Sequence, residues 1–236
     1  MKKLILGLLI AVSVVLNNPK LLTEYTPLGN PVYGYLAADH LGIMQLWDSN
    51  FRGGGTGWFI EHKGILMLVT NAHVCDILEP SPINDGGSYL VFKKDGKLES
   101  AVPVISVRAF DLCIAAVRQD LNVNTLTLGS SKDLRAGDFM VTLGWGGLNH
   151  PELAMGAYLS RTPYGICIKP VLFGCEERAI FLDSLSSTVQ SEGGDSGSPV
   201  FGINGTVIGI LHAGNGKEAK IIPVEYLLKL LEKLPL

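Results

Sequence analysis

GGGTGWFIEHKGILMLVTNAHVC, residues 53–75, reads as strand, turn and strand. Gly57–Glu61 is rich in apolar residues, His62-Lys63-Gly64 has turn chemistry, and Ile65–Thr70 is an apolar run of a length that suits a buried strand. The hairpin runs directly into His73. Outward from it, apolar runs at Ser88–Phe92, Ala101–Val107 and Leu112–Val117 are separated by polar turns such as Lys94-Asp95-Gly96, which is the spacing of a small barrel.

A second series begins near Thr125, with strands expected at Phe139–Leu143, Glu152–Ser160, Ile166–Leu172, Ala179–Leu182, Pro199–Ile203 and Thr206–His212. Gly202-Ile203-Asn204-Gly205 marks a tight hairpin between the last two. Pro223–Leu234 carries leucines at 227, 228, 230, 231 and 234, the pattern of an amphipathic helix whose proline suits the first turn. The pattern predicts an all-β fold of two comparable strand sets closed by a helix. The division expected is residues 18–124 for the lead-in and first set, and 125–236 for the second set and the helix.

Composition agrees with this. The chain has 236 residues, 47% of them hydrophobic, enough to bury a core, and its 28 glycines and 12 prolines favour many short strands joined by turns. With 19 basic and 22 acidic residues the net charge is -3, which gives no long-range attraction for nucleic acid. At the start, Lys2 and Lys3 precede an uncharged run from Leu4 to Leu16. That run is shorter than the roughly 18–20 residues of a spanning helix, so residues 1–17 are expected to be a secretory signal, with an uncleaved anchor as the alternative. A membrane partner is expected only in the second case. From Asn17 to about Phe51 no period is sustained, and this lead-in is expected to wrap the outside.

The four cysteines, Cys75, Cys113, Cys167 and Cys175, suit an exported protein and allow three full pairings. Cys167 and Cys175 flank Pro170 and Gly174 closely enough to be bridged across a hairpin, or to remain thiols. Cys75 follows His73 and Cys113 follows Asp111 by two residues, so these two approach each other wherever His73 and Asp111 do; the expectation is two small buried apolar side chains ahead of a bridge. No zinc-type Cys/His spacing occurs, and no metal is expected.

GGDSGSPVF, residues 193–201, carries the strongest chemical signal. Glycines let the turn fold tightly, so that the amides of Gly194 and Ser196, with Asp195 between them, can face an oxyanion forming on a carbonyl attacked by Ser196. A serine hydroxyl needs a base, and the base needs an orienting group. His73, at the end of a buried strand, fits the first role. Asp111, in RAFDLCIAAV, fits the second: a carboxylate at the mouth of an apolar strand is costly to bury without a donor such as an imidazole N–H. Taken singly, each has an ordinary structural reading as a turn serine, a core histidine or a strand-capping aspartate. Their order, His, Asp, Ser, differs from that of α/β-hydrolases, and Ser198 breaks the GxSxG elbow of a lipid or ester hydrolase.

TNAHV (70–74), DLCIAAV (111–117) and GGDSGSPV (193–200) resemble the three catalytic segments of trypsin-like serine peptidases. The similarity covers roughly Gly53 to Leu234, and GTGWFI, SGSP and the GTVIGI hairpin lean towards the bacterial HtrA-type and glutamyl-endopeptidase-type branch. The resemblance implies two six-stranded Greek-key β-barrels with the site between them, His73 and Asp111 coming from the first and Ser196 from the second. It implies peptide-bond hydrolysis on protein or peptide substrates without a cofactor, in a secreted or periplasmic setting. HtrA-type enzymes carry a PDZ domain after the peptidase, and with the chain stopping at Leu236 regulation by that route is not expected. No Ile-Val-Gly-Gly activation segment occurs, so a zymogen step is not implied and the partner of Asp195 is open.

For substrate choice, the resemblance assigns the pocket floor to Gln190, with Ser191 next, which disfavours Lys and Arg. GILHAG brings His212 and Gly214 to the same region, one residue later than the histidine that reads acidic or amide side chains in glutamyl endopeptidases and viral 3C-like proteases. Glu or Gln preference is therefore one expectation, a small or medium apolar side chain another, and His212 covering Asp111 the plain alternative. A catalytically inactive relative acting as a binding module is the main rival for the whole chain, weakened by the presence of all three triad residues.

Overall fold

The hairpin at residues 54–70 is buried on both faces, and the reason lies in the alternation of its side chains. The computed structural model describes residues 31–48, 54–76, 89–148, 150–171, 174–214 and 217–234; the expected leader or anchor, residues 1–17, lies outside them. Strand β1 is Ile43–Asp48, β2 Gly54–His62, β3 Ile65–Thr70, β4 Leu90–Lys94, β5 Lys97–Val107 and β6 Leu112–Ala116. They close into a barrel in the order β1-β2-β3-β6-β5-β4. Along β2 and β3, Phe59 and Leu68 point into this barrel with Phe92 and Ala115, whereas Trp58, Ile60, Met67 and Val69 point outward into a second cluster. Successive strand residues face opposite sides, so a continuous apolar run means two apolar surroundings.

The second surrounding is the other barrel. It is built from β7 Phe139–Gly144, β8 Glu152–Val171, β9 Gly174–Ser187, β10 Pro199–Phe201, β11 Val207–Gly214 and β12 Ala219–Pro223. Its closed order, β10-β11-β12-β9-β8-β7, repeats the connectivity of the first. Leu143, Val207, Ile210 and Ile222 leave its wall to meet Trp58, Val69, Leu112 and Ile114 of the first barrel, so one apolar cluster runs between the two halves. The terminal helix, Val224–Glu232, adds Leu227, Leu230 and Leu231 to this cluster, as the leucine spacing predicts. Each such side chain contributes roughly 1.5–3 kcal/mol of transfer free energy when fully buried.

The turns follow their residues. Lys63-Gly64 and Asp95-Gly96 have positive φ at both positions (51° and 79°, 50° and 78°), the twist that two-residue hairpins require. Gly205 donates back to the Gly202 carbonyl at 2.9 Å in the 202–205 hairpin.

Several expectations are corrected. The lead-in does not merely wrap the outside: Pro31–Leu41 is a helix, α1, with proline at its first position, and β1 completes the first barrel. Gln45, buried in β1 between Met44 and Leu46, interrupts the apolar pattern that would have revealed the strand. Glu152–Ser160 and residues 166–171 belong to one long strand, β8, which pairs along most of its length with β9; Leu172 lies outside the described residues. β12 was not expected: its last residue, Pro223, reads as the opening of the helix into which it leads, here α3 after the short α2 (Ala72–Asp76).

Cys75 and Cys113 are joined by a disulfide, which corrects the expectation of two unbridged apolar side chains. α2 carries Cys75 back over β6, where Cys113 pairs across from Thr70, and this brings the two Cα atoms to 6.4 Å. Cys167 and Cys175 lie on the paired strands β8 and β9, and their side chains are outside those described. The Cys75–Cys113 bridge spans a sequence separation of 38 residues. Replacing both cysteines by serine is expected to lower stability by about 4 kcal/mol through the entropy regained by the unfolded chain. Denaturant midpoints of the two proteins measure this, and equal midpoints would refute it.

Candidate active site

α2 and the turn before β6 bring a histidine and an aspartate together by local geometry. Arg108–Phe110 forms one 3₁₀ turn, and Asp111 closes it in the left-handed region at φ 51°, ψ 42°, donating its amide to the Arg108 carbonyl. A residue with a Cβ is strained there, and aspartate is among those that tolerate it. Asn71 Nδ2 donates to the Asp111 carbonyl at 3.0 Å, fixing the turn beneath α2. The Asp111 carboxylate then accepts the His73 amide at 2.9 Å on Oδ1 and meets His73 Nδ1 at 2.8 Å on Oδ2. Asp111 is buried, whereas the His73 side chain is 46% exposed. An ionised carboxylate only accepts hydrogen bonds, so its contact with Nδ1 puts the His73 proton there and leaves Nε2 as the basic nitrogen.

A second imidazole shares this carboxylate. His212 Nδ1 lies 3.2 Å from Asp111 Oδ2, with its side chain 6% exposed and its ring edge-on to Tyr164 at 4.9 Å. This is the geometry of His212 covering Asp111, the plain alternative to a role in substrate recognition. The β11–β12 register shifts between Leu211 and Ala213, and the irregularity turns the His212 side chain inward. Burial alone would raise the Asp111 pKa, but the hydrogen bonds from His212 and His73 outweigh it and hold the carboxyl below its ordinary value.

The serine turn is fastened to the first barrel. The Thr56 amide donates to the Ser196 carbonyl at 2.8 Å, and Trp58 Nε1 donates to the Gly197 carbonyl at 3.0 Å. Gly197, at φ 92°, lies so close to the Thr56 carbonyl and the Thr70 hydroxyl that any Cβ would overlap both. Gly55 lies between the two halves of the site: a methyl there would collide with the Val74 side chain, next to His73, and with the Ser196 carbonyl. The serine turn and the histidine helix therefore flank one glycine.

Of the turn amides, those of Gly194 and Ser196 donate to no backbone carbonyl among the described residues, whereas that of Asp195 donates to the Glu192 carbonyl at 3.2 Å. Asp195 thus supports the turn rather than joining the set of free donors. Gly147 donates to the Gly193 carbonyl at 2.7 Å; because the peptide is trans, the Gly194 N–H points the opposite way. The Asp195 side chain accepts the Glu192 amide at 3.0 Å and is also bonded by the Gly146 amide. Burial raises its pKa to about 6, with Glu192 and Glu152 adding to the rise and the two amides opposing it.

A carboxyl whose pKa is higher folded than unfolded contributes stability that is complete below its unfolded value and is lost as pH rises through its folded value. Relative to Asp195→Asn, the wild type is expected to lose about 3 kcal/mol of stability between about pH 4 and pH 7. Unfolding midpoints of both proteins across that range test this, and parallel curves would contradict it.

Of the other pocket residues, Gln190 is exposed, and Ser191 packs directly on Gly214, where a Cβ would overlap its hydroxyl. The structure therefore brings Ser191 and Gly214 together. Thr56 is the residue that sequence reading missed; its only signal was the small polar residue between glycines in GGGTGWF. Among the described residues no three His, Cys, Asp or Glu side chains converge as a metal site.

Residues 55–210 match the family of the trypsin-like peptidase domain. The chain belongs to the trypsin-like peptidase family. Among curated relatives, this trypsin-like peptidase is 30% identical over 158 residues to a probable periplasmic serine endoprotease DegP-like of Halomonas elongata, covering 66% of this chain and 28% of the relative. It is 26% identical over 174 residues to human serine protease HTRA4, covering 71% of this chain and 33% of the relative. The chain thus spans about a third or less of the curated relatives' length. Its fold superposes on the Rv3671c protease of M. tuberculosis, active form, with a TM-score of 0.66 and 21% identity over 89% of this chain and 87% of that one. Deg5 gives a TM-score of 0.63 at 17% identity, over 87% of this chain and 94% of that one. The curated relatives it resembles are thus DegP-like and HTRA serine proteases.

Proposed function

We propose that the chain is a serine endopeptidase acting on protein or peptide substrates through Ser196, His73 and Asp111. Ser196 Oγ attacks the scissile carbonyl while His73 Nε2 takes its proton, and the amides of Gly194 and Ser196 receive the oxyanion. His73 then passes that proton to the leaving amine, and an acyl-enzyme remains on Ser196. Water, deprotonated by the same imidazole, hydrolyses the ester and returns the hydroxyl. Asp111 keeps the imidazole proton on Nδ1 throughout and stabilises the transient cation.

The observation that carries this reading is the meeting of three distant segments: the His73–Asp111 pair at 2.8 Å and the serine turn at Gly55 and Thr56 beside it. Gln190 and Ser191 supply no carboxylate for a Lys or Arg side chain, so cleavage after Glu, Gln or small apolar residues is expected ahead of cleavage after Lys or Arg. The Cys75–Cys113 bridge and the periplasmic relatives support an oxidising, extracytoplasmic compartment. No helix among the described residues is long and apolar enough to cross a membrane.

A fluorophosphonate probe tests the reading. It should label the wild-type protein, and digestion should recover the adduct on the peptide bearing Ser196. An unlabelled protein, or an adduct elsewhere, would overturn it in favour of a non-catalytic binder.

A further inference from the structure

Thr56 is wholly buried on β2, and each of its polar groups is engaged. Its amide holds the Ser196 carbonyl and its carbonyl accepts the Thr70 hydroxyl, both at 2.8 Å. Its own hydroxyl bridges two loops of the other barrel: it accepts the Trp145 amide at 2.9 Å and donates to the Gly194 carbonyl at 2.9 Å. The direction is fixed by chemistry. An amide N–H can only donate to the hydroxyl, and the hydroxyl proton then goes to the carbonyl.

Gly194 has φ 104°, a region where glycine moves with little intrinsic restraint, and it follows another glycine. The backbone alone does not hold the Gly194 N–H in one direction. Two outside bonds do: Gly147 fastens the peptide before Gly194 at the Gly193 carbonyl, and the Thr56 hydroxyl fastens the peptide after it. The same hydroxyl anchors Trp145, two residues from Gly147. A single buried oxygen therefore makes one clamp on this turn and braces the loop that carries the other. We infer that Thr56 is a positioning residue for the oxyanion cradle, reaching across from the first barrel to hold Gly194 for catalysis without touching substrate. This rests on the endopeptidase reading above.

Thr56→Val keeps the volume and removes both hydrogen bonds, leaving the half-buried Trp145 N–H and the buried Gly194 C=O without this partner. Losing one whole oxyanion donor costs about 10²–10³ in kcat. Loosening one is expected to lower kcat by about 10- to 100-fold, with KM changed by less than about threefold. Affinity for a peptide aldehyde, which forms a tetrahedral oxyanion on serine, should fall in parallel. Thr56→Ser, which keeps the hydroxyl, should retain most of both.

Rates are taken per active site, titrated with the fluorophosphonate, well below the unfolding temperature, so that mere loss of stability does not register. Wild-type kcat in Thr56→Val, or an equal loss in Thr56→Ser, overturns the inference. Should Thr56→Val fail to fold, Thr56→Cys, a much weaker donor and acceptor of similar size, carries the same two outcomes. A wild type that does not react with the probe overturns the endopeptidase reading instead, so the two failures are distinct.

Discussion

Ser196→Ala is expected to lower kcat on a peptide substrate by on the order of 10⁶ and to abolish fluorophosphonate labelling, while peptide binding and the unfolding midpoint stay close to wild type. The reasoning is chemical. A methyl group cannot form the acyl-enzyme, so only direct attack by water remains, helped by what is left of the cradle and the base. The turn itself should persist: its links to the first barrel run through the Ser196 carbonyl, the Gly197 carbonyl and the Gly194 carbonyl, none of which the substitution touches. Steady-state rates with a fluorogenic peptide, alongside binding of the uncleaved peptide, separate chemistry from folding. A variant retaining a tenth of wild-type turnover would show that another nucleophile does the work.

The site and the fold differed in how openly the sequence declared them. The proposed triad of His73, Asp111 and Ser196 was legible because each proposed role demands a residue type next to an apolar strand or a glycine turn, and few positions in the chain meet those demands together. Strands buried on both faces, such as Ile65–Thr70, were legible for a related reason: an apolar run of that length has few other uses. β1 was hidden by Gln45, which interrupts its apolar run, and β12 by Pro223, its last residue, which reads as the opening of the helix that follows. The inward turn of His212 arises from an irregularity in strand pairing, which depends on the partner strand and leaves no trace in the local residues. Thr56 was invisible for the same kind of reason, because its partners Trp145 and Gly194 lie 89 and 138 positions away. Roles set by residue chemistry can be read along the chain; roles set by who meets whom across two barrels cannot.

Asp111→Asn carries the second large effect, a fall in kcat of about 10⁴ with little change in KM. The carboxylate accepts from the His73 amide and ring, and from His212, and it is buried. An asparagine in the same place presents one acceptor oxygen and one NH₂ donor. With the oxygen kept by the His73 amide, the NH₂ faces His73 Nδ1, which must then be the unprotonated nitrogen. The proton moves to Nε2, and the base points a donor at Ser196 where an acceptor is needed. The transient imidazolium also loses its counter-charge, a buried carboxylate against a half-exposed ring, where such a pairing counts for more than between two groups in water. Asp111→Glu keeps the charge but lengthens the reach, and it should fall less far than Asn only if charge outweighs geometry. The decisive measurement is proton NMR of the His73 ring in both proteins. The wild type should carry its proton on Nδ1 and the Asn variant on Nε2; the same tautomer in both, with activity lost, would mean that Asp111 acts through the shape of its left-handed turn instead.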